Sequence, residues 1–382
     1  MTGSRNRNPL TIILLVDALG WDVVREFDFC KDLLPHSGPL DTVLGYSSAA
    51  IPSLLSGAAP DRHGAWAMYR YAPSQSPFKL FRFVPKLPHA LEWRVRAAMR
   101  RYMARRETIK GYYDLYEIPL RVLGYLDVAQ RGDPYTPGGM SAETIFDRFA
   151  SANVSYRAWN YKTPELVNFD ALREAIETDS RVLFLYTAEL DALMHRVGTR
   201  HSEVAGKLHY YETQIEALLT AAASAGRDTT VLVFSDHGMT DVEEIVDVAG
   251  AVDGWGFRPG ADGVAFYDST MARFWSPSDV RHDLEAKLNA TGWGCVLTRE
   301  ELDTLGCRFE DNSYGDTIFL VNPGYLILPS YMSKEPVAAM HGYHPDDRGS
   351  RGCFMTNDPD VSLPRSILDI KALVINIVLE TR

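Results

Sequence analysis

The chain is poor in several things, and each scarcity removes a class of protein. Its 382 residues include four cysteines, Cys30, Cys295, Cys307 and Cys353, far apart and without a C-x-x-C pair. That usage excludes a disulfide scaffold or a zinc knuckle and fits reduced thiols. No stretch approaches the roughly 18 apolar residues that a membrane span requires. Arg5 and Arg7 ahead of the apolar run 11–16 imitate a signal peptide, but the run is short, Asp17 interrupts it and no A-x-A-like site follows. The expectation is a cytoplasmic protein. A cationic surplus is missing too, since 39 Lys plus Arg face 50 Asp plus Glu for a formal charge of −11. General nucleic-acid binding, which rests on such a surplus, is excluded. Internal repeats and low-complexity tracts are absent, and a chain 46% hydrophobic and 23% charged is a folded, globular one.

What is present is an alternation. Short aliphatic runs at 11–16, 182–186 and 231–234 end in polar clusters and give way to helical patterning. Continuous apolar runs of this length suit strands of a parallel sheet buried on both faces, with helices as crossovers. Helices are expected near 142–152, 202–225, 278–288 and 366–379 from the spacing of apolar residues. Two stretches break the alternation: 65–139, rich in aromatics, Pro and Arg, and 240–339, with strand-like pieces between Gly and Pro. The reading is one α/β domain over 1–382, with 65–139 and 240–339 inserted as caps over the sheet edge.

Ligands of open parallel sheets gather beyond the carboxyl ends of the strands. Just past those ends lie Asp17, Asp191 with His195, and Asp236 with His237. Asp191-x-x-x-His195 sets a carboxylate and an imidazole one helical turn apart or on one loop. His341 lies further on, in Met340-His341-Gly342-Tyr343. A mixed Asp/His set offers oxygen and nitrogen ligands suited to zinc, less often manganese. Taken singly, Asp17 reads first as a helix cap or turn former; the occurrence of all these groups in order, each past a strand, favours a metal site. The segment Gly45-Tyr46-Ser47-Ser48-Ala49-Ala50 runs from small polar residues into an apolar helical turn. A Ser there is a helix cap by default, yet the same place offers backbone N–H groups to an anion and, next to a metal, a hydroxyl nucleophile.

Asp17 after a strand, Ser47 ten places before Gly57, Pro60-Asp61-Arg62-His63-Gly64, Asp191-x-x-x-His195-x-x-Gly198, Asp236-His237-Gly238-Met239 and His341-Gly342-Tyr343 together resemble the alkaline phosphatase superfamily. Within it the chain is most similar to the type I phosphodiesterase and nucleotide pyrophosphatase branch. The resemblance implies a mostly parallel sheet flanked by helices on both faces, and two divalent metal ions, zinc or manganese. Asp191, His195 and His341 would hold one ion, and Asp17, Asp236 and His237 the other. It further implies Ser47 as nucleophile, a phosphoseryl intermediate and a small phosphate-ester substrate. Ser48 is a second candidate hydroxyl, because Pro52 could shift where the helix begins. That branch typically carries an Asn soon after the His-Gly motif; none occurs between Asn8 and Asn153, and Arg70 is the candidate phosphate clamp in its place. Sulfatase chemistry is disfavoured, because Ile51 stands where formylglycine installation needs an Arg. The alternatives are a phosphomonoesterase or phosphotransferase acting on a lipid or small-molecule headgroup, and a non-catalytic metal-stabilised binding protein.

Charge is uneven. Between 79 and 110, ten Lys or Arg face only Glu92 and Glu107. Leu91, Val95, Met99 and Tyr102 recur at helical spacing, with Arg94, Arg101 and Arg105 elsewhere on the wheel and Phe78, Phe81, Phe83 and Trp93 nearby. Such a segment fits an anionic membrane surface, or simply packs its apolar stripe inward and solvates its arginines.

Overall fold

A computed structural model describes residues 9–83, 89–106 and 109–380. Six strands form the central sheet in the order His36–Leu40, Gly352–Thr356, Asp228–Phe234, Pro9–Val16, Val182–Thr187 and Tyr156–Trp159. Pro9–Val16 pairs in parallel with Val182–Thr187 and with Asp228–Phe234, and Tyr156–Trp159 pairs in parallel with Val182–Thr187. Gly352–Thr356 is antiparallel to both of its neighbours, so it alone runs against the other five. The sheet is therefore mostly parallel.

The apolar runs are continuous because both faces are covered. Ile13 and Leu15 join one core with Leu54, Leu55, Ile370 and Val374 from the helices Ser47–Ser56 and Ile370–Ile375. Ile12, Leu14 and Val16 point the other way, into a core with Leu172, Val204, Leu208 and Ile215 from Glu165–Ala175 and Ser202–Ser224. With about 1.5–3 kcal/mol for each buried aliphatic side chain, a strand loaded on both faces is the strongest organiser of the chain. The expected helices form at Ile145–Ser151, Ser202–Ser224 and Ser278–Ala290. Thr144 begins the first, its hydroxyl accepting from the Asp147 N–H while the Asp147 carboxylate accepts from the Thr144 N–H.

The two stretches that break the alternation fold differently from the sheet. Within 240–339, Val264–Tyr267, Met271–Trp275, Thr317–Val321 and Gly294–Val296 make an antiparallel sheet with its own core around Phe274 and Phe319. Within 65–139, Tyr69–Tyr71 pairs with Leu126–Val128. Tyr69, Phe78, Leu115 and Leu123 share a small core with Val264, Phe266 and Trp275, so the two stretches pack on each other. No helix of the described residues is long and apolar enough to cross a membrane.

Candidate metal centre and cleft

Three parallel strands deliver the acidic groups to one edge. Asp17 follows Pro9–Val16, and its N–H donates to the Thr187 carbonyl at the end of the adjacent strand, 2.9 Å away. Asp236 and His237 follow Asp228–Phe234. There Gly238 is required by close approach, because a Cβ would meet the Gly349 carbonyl oxygen at 2.2 Å. Asp191 and His195 lie on the helix Glu189–Val197, and the i, i+4 spacing puts them on one face with His195 Nε2 3.3 Å from Asp191 Oδ1. His341 comes from the 240–352 return of the chain, its Nε2 3.5 Å from the same Asp191 oxygen. Gly342 adopts φ +89° beside it, and a Cβ there would strike the Tyr46 ring at 2.7 Å.

Asp17, Asp236 and His237 bring one ligand atom each within 4.8 Å of one another, and so do Asp191, His237 and His341. His237 thus stands between the two groups, its ring stacked on that of His341 with centroids 3.8 Å apart. His195 is in neither close group and meets the second through Asp191. All six sequence-predicted ligands converge.

The tautomers follow from the backbone. A carbonyl can only accept, so His237 Nδ1, 2.9 Å from the Gly238 oxygen, carries the proton. When neutral, that ring turns its Nε2 lone pair toward Asp17 Oδ1 at 3.4 Å and Asp236 Oδ2 at 3.3 Å. His195 Nδ1 likewise donates to the Ala339 carbonyl at 2.8 Å, and its Nε2, 3.3 Å from Asp191 Oδ1, donates to that carboxylate when the ring is protonated. A lone pair facing carboxylate oxygens is repulsive unless a cation or a proton lies between them. Asp17 Oδ1, both Asp236 oxygens and His341 Nδ1 are buried without a hydrogen-bond partner. Burial, then the neighbouring Asp236 and Asp191, push the Asp17 carboxyl well above the usual range. Burial and Asp191 push Asp236 to about 7. Asp191 goes the other way: burial opposes its charge, but the hydrogen bond and charge of His195, then His341, hold it below the usual range. Burial and then His237 depress His341. Buried carboxylates clustered without compensation cost several kcal/mol each, and divalent cations are the chemistry that these donors fit.

Ser47 is the first residue of the helix Ser47–Ser56, after Tyr46. Pro52 lies inside this helix and does not displace its start. Ser47 Oγ is 3.0 Å from His237 Nε2. Ser48 lines the same cleft, as do Asp17, Asp191, His195 and His341. The cleft holds about 600 Å³, and six tyrosines, Tyr46, Tyr112, Tyr116, Tyr135, Tyr161 and Tyr186, line it together with Lys110 and Lys162.

Arg70 is a correction. Its guanidinium turns to the buried Asp127, 3.3 Å away on the paired strand, and it does not line the cleft. The pull of a buried carboxylate outweighs that of an open cleft. Other groups escaped sequence reading. Tyr186, at the end of Val182–Thr187, donates its hydroxyl to Asp17 Oδ2, and Tyr46 Oη is 2.8 Å from Thr270 Oγ1. A signal for both was their place, one at a strand end and the other immediately before the candidate nucleophile. His63 is buried with Ser53 Oγ 2.9 Å from its Nε2, apart from the metal ligands.

A mostly parallel sheet with carboxylates and imidazoles at its strand ends and a serine at a facing helix start defines a phosphoester-hydrolase class of α/β protein. The chain belongs to the type I phosphodiesterase / nucleotide pyrophosphatase family, whose model matches residues 11–344, and is a phosphoric ester hydrolase. Among solved structures it is similar to murine ectonucleotide pyrophosphatase / phosphodiesterase 5 (ENPP5) at TM-score 0.68 and 14% identity, covering 97% of this chain and 95% of that one. The human ENPP5 structure gives TM-score 0.67 at 12% identity, covering 97% and 94%. An inactive murine ENPP5 variant with a threonine-to-alanine substitution, in complex with AMP, gives 0.67 at 14%, covering 97% and 95%. No curated protein matches the chain in sequence.

Proposed function

We propose that the protein hydrolyses phosphodiester or pyrophosphate bonds, with Ser47 as nucleophile and two divalent ions, best matched by zinc and next by manganese. Asp191, His195 and His341 would hold one ion and Asp17, Asp236 and His237 the other. When bound, the ions supply the positive charge that offsets the clustered carboxylates and the charge developing on attacking and leaving oxygens. The chain supplies the rest. Ser47 gives its hydroxyl proton to water as Oγ forms a bond to phosphorus and the bond to the leaving oxygen breaks, and that oxygen takes a proton back from water. A water then attacks the phosphoseryl phosphorus, the Oγ–P bond breaks and Ser47 regains its proton. Two inversions give retention. The N–H groups of Ser47 and Ser48, at the start of a helix and without intrahelical acceptors, suit phosphoryl oxygens. Tyr186 fixes Asp17 by occupying Oδ2, so that Oδ1 remains for the cation.

The observation that carries the diester reading is the cleft of about 600 Å³. A monoester needs little beyond the phosphoryl pocket, whereas a tyrosine-lined cleft has room for the second substituent. The ENPP5 complex with AMP supports a nucleoside phosphate ester as one substrate class. Four free thiols support a cytoplasmic setting. The test compares wild type and Ser47→Ala on p-nitrophenyl phosphate and bis(p-nitrophenyl) phosphate, with chelation and zinc or manganese restoration. The expected result is diester preference, loss on chelation and loss in Ser47→Ala. Full activity in Ser47→Ala would overturn the nucleophile, and monoester preference would overturn the diester reading.

A further inference from the structure

Exposed apolar side chains are concentrated in one place. Among the described residues nine large hydrophobic side chains are exposed, and Leu80, Phe83, Leu91, Trp93 and Tyr112 all belong to the 65–139 segment. Phe83 is 80% exposed, Leu80 75% and Trp93 64%.

The geometry divides the aromatic and apolar residues of this segment into two sets. Phe78 is buried, and Phe81, Val95 and Met99 pack against the same small core. The inner face of the helix His89–Arg106 is closed by polar contacts as well: Arg96 donates to the Tyr116 carbonyl at 2.5 Å and to Glu92 at 3.2 Å. These residues anchor the segment to the body of the protein. Leu80 and Phe83, on the turn Lys79–Phe83, and Trp93, near the start of the helix, are left exposed, whereas Leu91 lies on the helix stripe of Val95 and Met99. Lys79, Arg94 and Arg101 are exposed beside them and make no ion pair among the described residues. The side chains of Tyr102 and Arg105, and residues 84–88 and 107–108, lie outside the described residues.

We infer that Leu80, Phe83 and Trp93, flanked by Lys79, Arg94 and Arg101, form a docking surface for an anionic lipid bilayer. Charge identifies the occupant. The whole chain carries −11, whereas 79–110 holds ten Lys or Arg against two Glu, so the exposed aromatics lie in a locally cationic stretch. Arg94 and Arg101, without an ion pair among the described residues, together with Trp93 and Phe83 match the headgroup layer, where cations meet anionic lipid and amphipathic rings enter the acyl boundary. The same segment continues into Lys110, Tyr112 and Tyr116, which line the cleft, so docking ties the surface to the site. The inference does not depend on the hydrolase chemistry.

The experiment is sedimentation of the full chain with phosphatidylcholine vesicles, with and without phosphatidylserine. Wild type is expected to pellet with phosphatidylserine vesicles, less at high salt, and not with phosphatidylcholine alone. Phe83→Ser/Trp93→Ser is expected to lower the partition coefficient about tenfold or more, and Arg94→Glu/Arg101→Glu to abolish the phosphatidylserine dependence. Both variants should keep the wild-type melting temperature and activity on a soluble diester. Ser47→Ala should bind vesicles like wild type, which separates failure of docking from failure of the catalytic reading. Absence of wild-type binding overturns the inference. So does undiminished binding of Phe83→Ser/Trp93→Ser, or a concentration-dependent dimer that this variant dissolves, which would make the face a contact between copies of the chain.

Discussion

The strand-end edge of the sheet and the 65–139 segment are built on opposite rules. At the edge, these functional groups are tied to regular elements: Asp17, Asp236 and His237 to strand ends, Asp191 and His195 to one helix face, Ser47 to a helix start. Polar groups there are buried, and several lack partners. In the segment, Lys110, Tyr112, Tyr116 and Tyr135 face the cleft, while Arg70, Arg100 and Arg131 pair with acidic groups of the same segment. The difference teaches where each property resides. Bond-breaking chemistry depends on places that regular secondary structure repeats faithfully, and choice of substrate or surface depends on how irregular chain is folded over them.

The sharpest way to break the comparison is Ser47→Ala, which should lower kcat roughly a thousandfold or more while leaving bound metal, read by elemental analysis, unchanged. Loss of metal together with activity would show that the edge does not separate nucleophile from ligands.

His63 tests whether a buried histidine close in sequence to Ser47 belongs to the edge chemistry. Its Nδ1 accepts the Ala65 N–H at 3.2 Å, so Nε2 donates to Ser53 Oγ. Burial lowers its pKa from 6.5 to about 4. Between those values the unfolded chain binds a proton that the folded chain refuses, so stability falls as pH drops from 6.5 toward 4. The contribution present above pH 6.5 is about 3 kcal/mol. Denaturant melts of wild type and His63→Gln across this range should show the wild-type slope flattened in the variant, with metal content equal at neutral pH.

Tyr186→Phe removes only the hydroxyl that holds Asp17. Zinc affinity, measured by competition with a chelating dye, should weaken about tenfold to a hundredfold, with little change in fold. An unchanged affinity would make Tyr186 a packing residue. The smallest effect belongs to Arg70→Ala. Because its guanidinium faces Asp127 and Arg131 also holds that carboxylate at 2.6 Å, KM for a diester should change less than about threefold, with about 1 kcal/mol of stability lost. A large rise in KM would return Arg70 to the site.

Much of the centre was legible because periodic elements convert spacing into direction. A run buried on both faces is a strand, its end is at the ligand edge, and i, i+4 on a helix is one face. Those rules carry Asp17, Asp191, His195, Asp236 and His237 from one-dimensional order to a common place. Spacing failed with Arg70, where nothing local revealed that Asp127, 57 residues away, would be buried and would claim it. It failed again with the apolar positions of 79–101. Phe78 and Phe83 read alike in sequence, and only the core around Leu115 and Leu123 decides that one is anchored and the other exposed.

By itself, then, the sequence determined a doubly covered parallel sheet and the residue types at its strand ends, since both follow from local periodicity and from hydrophobic burial. The tertiary structure alone decided that His237 stands between two ligand groups, that Tyr186 holds Asp17 and Tyr46 braces Thr270, and which aromatics line the cleft and which face outward. These depend on contacts between segments more than a hundred residues apart, as with Tyr186 and Asp17 or Tyr46 and Thr270. No local pattern encodes such contacts; they exist only once burial has chosen which polar groups must find each other.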